Sequence, residues 1–331
     1  PVLACLPPSL LPAPPYFLLR TVYTMATLTS PVSSICIIGA LYFLTTSLVP
    51  ENPDAPYDLK GDVLLSVYGI MVFFVIDQIF KVTGWFPNDK TARYLTLHVV
   101  CNGIATFLSF PDTVKVYTQP VMDSAVADYT DTRSCMIIAS LHLYHIIAFR
   151  PLPMVDWVHH ILMVVFTLPL AYMLQPGPVL NHGAFFASGF PGGVDYLMLV
   201  CVKCNWMDTM TEKRYNNHIQ TWIRNPGMLY HAIFAWQGLV ILKANPALFK
   251  VALAKSLYSS EAGYAFGILF VMVTYYWNGP YFQLRVAENY AKKSVLNVTG
   301  SSLAGKTMET IKRTMSKDKN LQAMGADKKS Q

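Results

Sequence analysis

The sequence predicts an all-α fold, a polytopic transmembrane helix bundle of about seven to eight spans. Three observations carry that prediction. The 331 residues are 53% hydrophobic and only 13% charged, against roughly 25% charged in soluble domains. Apolar runs long enough, or nearly so, to cross a bilayer recur along the chain. The loops between them alternate in charge, which is what the positive-inside rule asks of a chain that crosses repeatedly.

The elements follow in order. Residues 1–30 form a Pro-rich segment, with six prolines in the first twenty residues. Proline removes a backbone donor and clashes inside a helix, so an irregular segment is expected. The first residue is Pro1 and no basic stretch precedes the apolar part, which reads as an incomplete or processed start rather than a signal peptide. Apolar runs then cover 31–49, 63–80, 94–110, 134–149, 155–174, 183–204, 228–243 and 263–282. The third and fourth are short and need adjoining residues to span. The seventh is the weakest, with an interfacial or re-entrant course as its alternative. The membrane domain is therefore 31–285, followed by a basic tail over 286–331.

Loop charge sets the orientation. Loops 50–62 and 111–133 are acidic, whereas loops 81–93 and 205–227 are basic and Arg150 follows the fourth run. Cytosolic termini are expected. Lys243, Lys250 and Lys255 fall on the opposite side and disagree. From Arg285 onward ten Lys or Arg face four Asp or Glu, a composition suited to the cytosol or a lipid surface. Without aromatic interleaving the tail gives no reason to expect nucleic acid. A short amphipathic helix is expected at 303–315 in an otherwise mobile tail. Lys328-Lys329-Ser330-Gln331 is similar to a dilysine retrieval signal of endoplasmic-reticulum membrane proteins.

The chemistry-bearing residues are histidines. His98, His142, His145, His159 and His160 all lie in hydrophobic stretches, where ionisable groups are costly and mark functional interiors. His142 and His145 share a helix face. Pro151 and Pro153 then break the helix, and His159-His160 sit near the start of the next. Asp156, three and four residues before them, can orient either imidazole and raise its basicity. His159, His160 and Asp156 are thus the expected catalytic group, by acid–base or nucleophilic chemistry. His145 and His98 are expected in the same polar interior, with His142 facing elsewhere. Gly189-Phe-Pro-Gly-Gly-Val-Asp195 implies a broken helix whose freed backbone groups need a partner, and puts Asp195 where a substrate headgroup would lie. No metal is expected: a third histidine box is missing, and Cys201-x-x-Cys204 lacks a second ligand pair.

These residues form a pattern that resembles the TLC family of multi-pass membrane proteins, over about 60–285. His98 corresponds to the histidine-bearing helix, Tyr144-His145 stands where a Tyr-Asp pair is expected, and His159-His160 matches the family's histidine pair. The resemblance implies membrane lipids as ligands, an endoplasmic-reticulum location, and acyl transfer to a lipid acceptor from acyl-CoA as co-substrate, with no resident cofactor. It equally implies the alternative known in the family, a non-catalytic lipid-sensing or trafficking protein, as a homo-oligomer or a subunit of a larger membrane complex.

Overall fold

The structure is a computed structural model. It describes residues 30–51, 57–84, 89–127 and 130–327, with the backbone alone over 297–327. Apart from Ser30, the Pro-rich segment expected over 1–30 lies outside the described residues, as do Lys328 and Lys329.

The apolar runs become helices: α1 Pro31–Leu48, α2 Leu59–Thr83, α3 Lys90–Thr118, α4 Val121–Ala125, α5 Arg133–Ala148, α6 Met154–Leu174, α7 Pro178–Lys203, α8 Thr209–Ile219, α9 Asn225–Ala244, α10 Pro246–Lys255 and α11 Glu261–Asp327. Five of them, α1, α2, α3, α6 and α7, are long and apolar enough to cross a membrane. The chain is therefore an all-α polytopic helix bundle. α5 is apolar and shorter, at 16 residues.

Helix ends explain why several elements outgrow their apolar runs. Asp58 caps α2 by accepting from the Gly61 amide at 2.9 Å, and Asp89 caps α3 by accepting from the Thr91 amide at 2.8 Å. Such caps satisfy amides that a helix start leaves unpaired. The third run thereby gains the residues it needs and becomes a 29-residue helix. Its hydroxyls are satisfied internally: Thr96, Thr106 and Thr113 donate to carbonyls four residues back, at 2.8, 2.6 and 2.9 Å. That keeps polar side chains compatible with an apolar surround.

The surface is apolar and much of the polarity is internal. Phe107 is 80% exposed, Phe43 67% and Val32 71%, whereas His98, Asn102, His145, Asn181, His182 and Asn278 are buried. A water-facing protein avoids a broad apolar exterior; a lipid-facing one requires it. At the basic end of the bundle Asp77, 1% exposed, pairs with Lys81 Nζ at 2.8 Å and Arg93 Nε at 2.9 Å and accepts from the Tyr144 hydroxyl at 3.0 Å. At the acidic end Asp62 accepts from Thr132 at 2.7 Å and Tyr172 at 2.9 Å. There too Asn181 donates to Asp112 at 2.7 Å and accepts from Ser134.

Two expectations change. α11 runs on through Asp327, where a short helix at 303–315 was expected. No proline follows Pro280, so the residue type that most strongly stops a helix is absent. Loop 205–227 is not a plain loop but holds α8. The dissenting lysines gain a partial reason, because Lys255 Nζ donates to the carbonyls of Val126 and Ala127 at 2.8 and 2.9 Å.

Candidate functional site: a histidine-lined cavity inside the bundle

Three stretches of widened, π-helical backbone occur among the described residues: His160–Thr167 in α6, Phe185–Gly189 in α7, and Gln220–Arg224 between α8 and α9. Each is followed two residues later by a proline, namely Pro169, Pro191 and Pro226. Proline offers no amide to the carbonyl four residues back and crowds it, so the helix opens locally instead of closing its usual bond. Residues from all three stretches line one cavity of about 250 Å³, completed by α3, α5 and α11. That is about eight water molecules' worth of space, more than a packing defect holds.

The cavity gathers the histidines. Its wall includes His98, His142, His159 and His160. The rings of His142 and His160 lie 5.1 Å apart, those of His98 and His142 6.1 Å, and those of His159 and His160 5.9 Å. Three imidazoles are fixed by one device. Nδ1 of His98, His142 and His160 donates to the carbonyl four residues back, of Tyr94, Ile138 and Asp156, at 3.0, 2.7 and 2.5 Å. A carbonyl only accepts, so each neutral ring carries its proton on Nδ1 and keeps a lone pair on Nε2. His160 Nε2 is buried and has no hydrogen-bond partner in the protein.

The expected residues divide as follows. His159 and His160 line the cavity, with His159 against the Phe282 ring at 5.2 Å. Asp156 also lines it, but orients His160 through its backbone carbonyl rather than its carboxylate. His98 lines it and stacks on Tyr196 at 3.9 Å. Asp195 lines it and accepts from Asn216 Nδ2 at 2.6 Å. His145 stands behind the wall: it is fully buried, its ring is 4.3 Å from those of Tyr94 and His98, and neither of its nitrogens has a partner. His142, expected to face elsewhere, instead lies at the centre of the cluster. His142 and His145 share a helix face only loosely, and the three-residue offset turns one toward the cavity and the other toward α3.

Other lining residues were not foreseen. Arg224 was read as a loop charge, yet its Nη2 donates to the Ala187 carbonyl at 2.8 Å. Ala187 lies four residues before Pro191, so this is the carbonyl that the proline leaves without an amide. The expected need of a partner at that broken helix is thus met by Arg224. Asn278 is fully buried with both side-chain polar atoms unpartnered; its signal was present as a lone amide in the last apolar run. Among the described residues no three His, Cys, Asp or Glu side chains converge as metal ligands would. No protein-family model, curated protein or solved structure matches the chain.

Proposed function

We propose that the protein is a lipid-handling membrane enzyme of the TLC type, with about seven to eight spans, in the endoplasmic reticulum. It moves an acyl group from acyl-CoA to a lipid acceptor at the histidine-lined cavity. The observation that carries this reading is His160, a residue of the cavity wall: its Nε2 is buried and unpartnered, while its Nδ1 proton is anchored to the Asp156 carbonyl. A lone pair held in that way is suited to act as nucleophile or general base. In the nucleophilic form, Nε2 attacks the thioester carbonyl, a C–N bond forms, the C–S bond breaks and the thiolate leaves. The acceptor's hydroxyl or amine then attacks the acyl-imidazole, the C–N bond breaks, and the acceptor proton ends on the thiolate. His159 and His142 flank the reacting ring, and Asp195 and His98, also on the wall, are the groups proposed to contact the acceptor.

A second reading is favoured by one specific observation. Each anchored imidazole is held by a neutral carbonyl, and a carboxylate would raise basicity further. A cavity of this kind also suits a lipid-binding protein without turnover. One assay separates the two. Purified protein in lipid nanodiscs is given radiolabelled palmitoyl-CoA with mixed membrane lipids as acceptors. Labelled product is expected from the wild type and a loss of about 10²- to 10⁴-fold from His160→Ala. Product formation equal in the two proteins eliminates the enzyme reading.

A further inference from the structure

The cavity contains a cation for which the acyl-transfer scheme has no use. Arg224 lines it. Its Nη2 is committed to the Ala187 carbonyl at 2.8 Å, its Nη1 reaches Gln220 Oε1 at 3.4 Å, the guanidinium lies over the Phe282 ring at 5.4 Å, and its Nε is buried without a hydrogen-bond partner. A guanidinium inside a bilayer-spanning bundle is costly unless an anion or several acceptors face it. Two carboxylates share the cavity, Asp156 and Asp195. Asp195 is engaged by Asn216 at 2.6 Å and acts on Arg224 electrostatically, but among the described residues no ion pair joins Arg224 to either carboxylate. The same cavity wall includes Asn278, fully buried, with neither its amide donor nor its amide oxygen partnered. Unpartnered donors from Arg224 and Asn278 thus belong to one cavity wall, and part of the rest of that wall is apolar, with Met163, Val164, Leu168 and Leu199.

From this geometry we infer that the cavity holds a single-chain lipid by an oxyanion head, a carboxylate or a phosphate, with Arg224 and Asn278 as the head subsite. A guanidinium edge matches such a group with two parallel bonds, and the apolar wall takes the first part of the chain. The inference deepens the proposed function, since it names the ligand class of the same cavity, but its test does not depend on turnover.

The full-length protein in nanodiscs is titrated with palmitate, with palmitoyl lysophosphatidate and with hexadecanol, three probes of one chain length. Expected is saturable binding of one or both anionic probes, at least about tenfold tighter than hexadecanol, weakened about tenfold or more by Arg224→Gln and by the near-isosteric Asn278→Asp. Preference for palmitate assigns a carboxylate head, and preference for lysophosphatidate a phosphate head; either supports the subsite. Hexadecanol binding as tightly as both anions overturns it, and that comparison needs only the wild type should a variant fail to fold. Anion binding unchanged in both folded variants overturns it as well. The acyl-transfer assay is scored separately. Turnover with Arg224-independent binding removes this inference alone, and Arg224-dependent binding without turnover removes the transfer scheme alone.

Discussion

At the scale of single residues, the chain separates polar groups that are satisfied from those left facing a cavity. Asp77 belongs to the first kind. It carries three partners, two of them cations, in a nearly fully buried position. Asp77→Ala removes one acceptor from each of Lys81, Arg93 and the Tyr144 hydroxyl, and breaking such a buried pair costs about 3–5 kcal/mol. A clear drop in melting temperature in detergent is the expected result; an unchanged melt shows that the cations find other partners. The histidines belong to the second kind. Their presence inside the bundle was legible from the sequence because imidazoles in apolar runs are rare, and His159, His160 and Asp156 do share a wall. Which nitrogen points where was not legible. The anchoring carbonyls are backbone atoms four residues back, which any residue supplies equally, so nothing in the side-chain sequence marks His142 as inward and His145 as set behind.

At the scale of elements, three prolines explain the shape of the site. Each lies two residues beyond a widened turn, and all three turns feed one cavity. The broken helix around Gly189-Phe-Pro-Gly-Gly was legible; its consequence, a free Ala187 carbonyl taken by an arginine from another helix, was not, because that pairing spans 37 residues. Pro191→Ala tests the idea. An alanine amide can bond the Ala187 carbonyl, competing with Arg224 and tightening α7. Amide exchange around residue 191 is expected to slow and palmitate binding to weaken severalfold. Exchange as fast as in the wild type, with binding intact, shows that the widening does not depend on the proline. Helix ends were the least legible features, since caps such as Asp58 and Asp89 lengthen α2 and α3 beyond their apolar runs.

At the scale of the whole molecule, the apolar exterior and polar interior follow directly from a composition poor in charge, and so the fold class was legible from the start. Beyond the five long apolar helices, the number of crossings depends on the shorter α5 and on α9 and α11, whose runs are interrupted by His231, Gln237, Asn278 and Pro280. Crossing by both places Arg214 and Ser294 on one side and Ser260 on the other. Single cysteines at these positions, treated in sealed vesicles with a membrane-impermeant maleimide, are expected to label in that pattern; all three labelling from one side removes both crossings. Asp89 offers a second check on how the ends are tied. Its hydrogen bond and ion pair with Lys203 at 2.9 Å, with the Thr91 amide, hold its carboxyl below the usual carboxylate range. A depressed acid stabilises the fold fully above its unfolded value of about 3.9 and loses that contribution as pH falls through the lower folded value. Asp89→Asn should therefore narrow the gap in melting temperature between neutral pH and pH 3, and an unchanged gap assigns acid sensitivity to other carboxylates. The central claim concerns His160 as the group that receives the acyl chain. Its most direct measurement is the intact mass of purified protein after brief exposure to palmitoyl-CoA without acceptor. The account predicts a palmitoyl adduct on the wild type that hydroxylamine removes and that His160→Ala lacks; an identical adduct on the variant, or none on either protein, contradicts it.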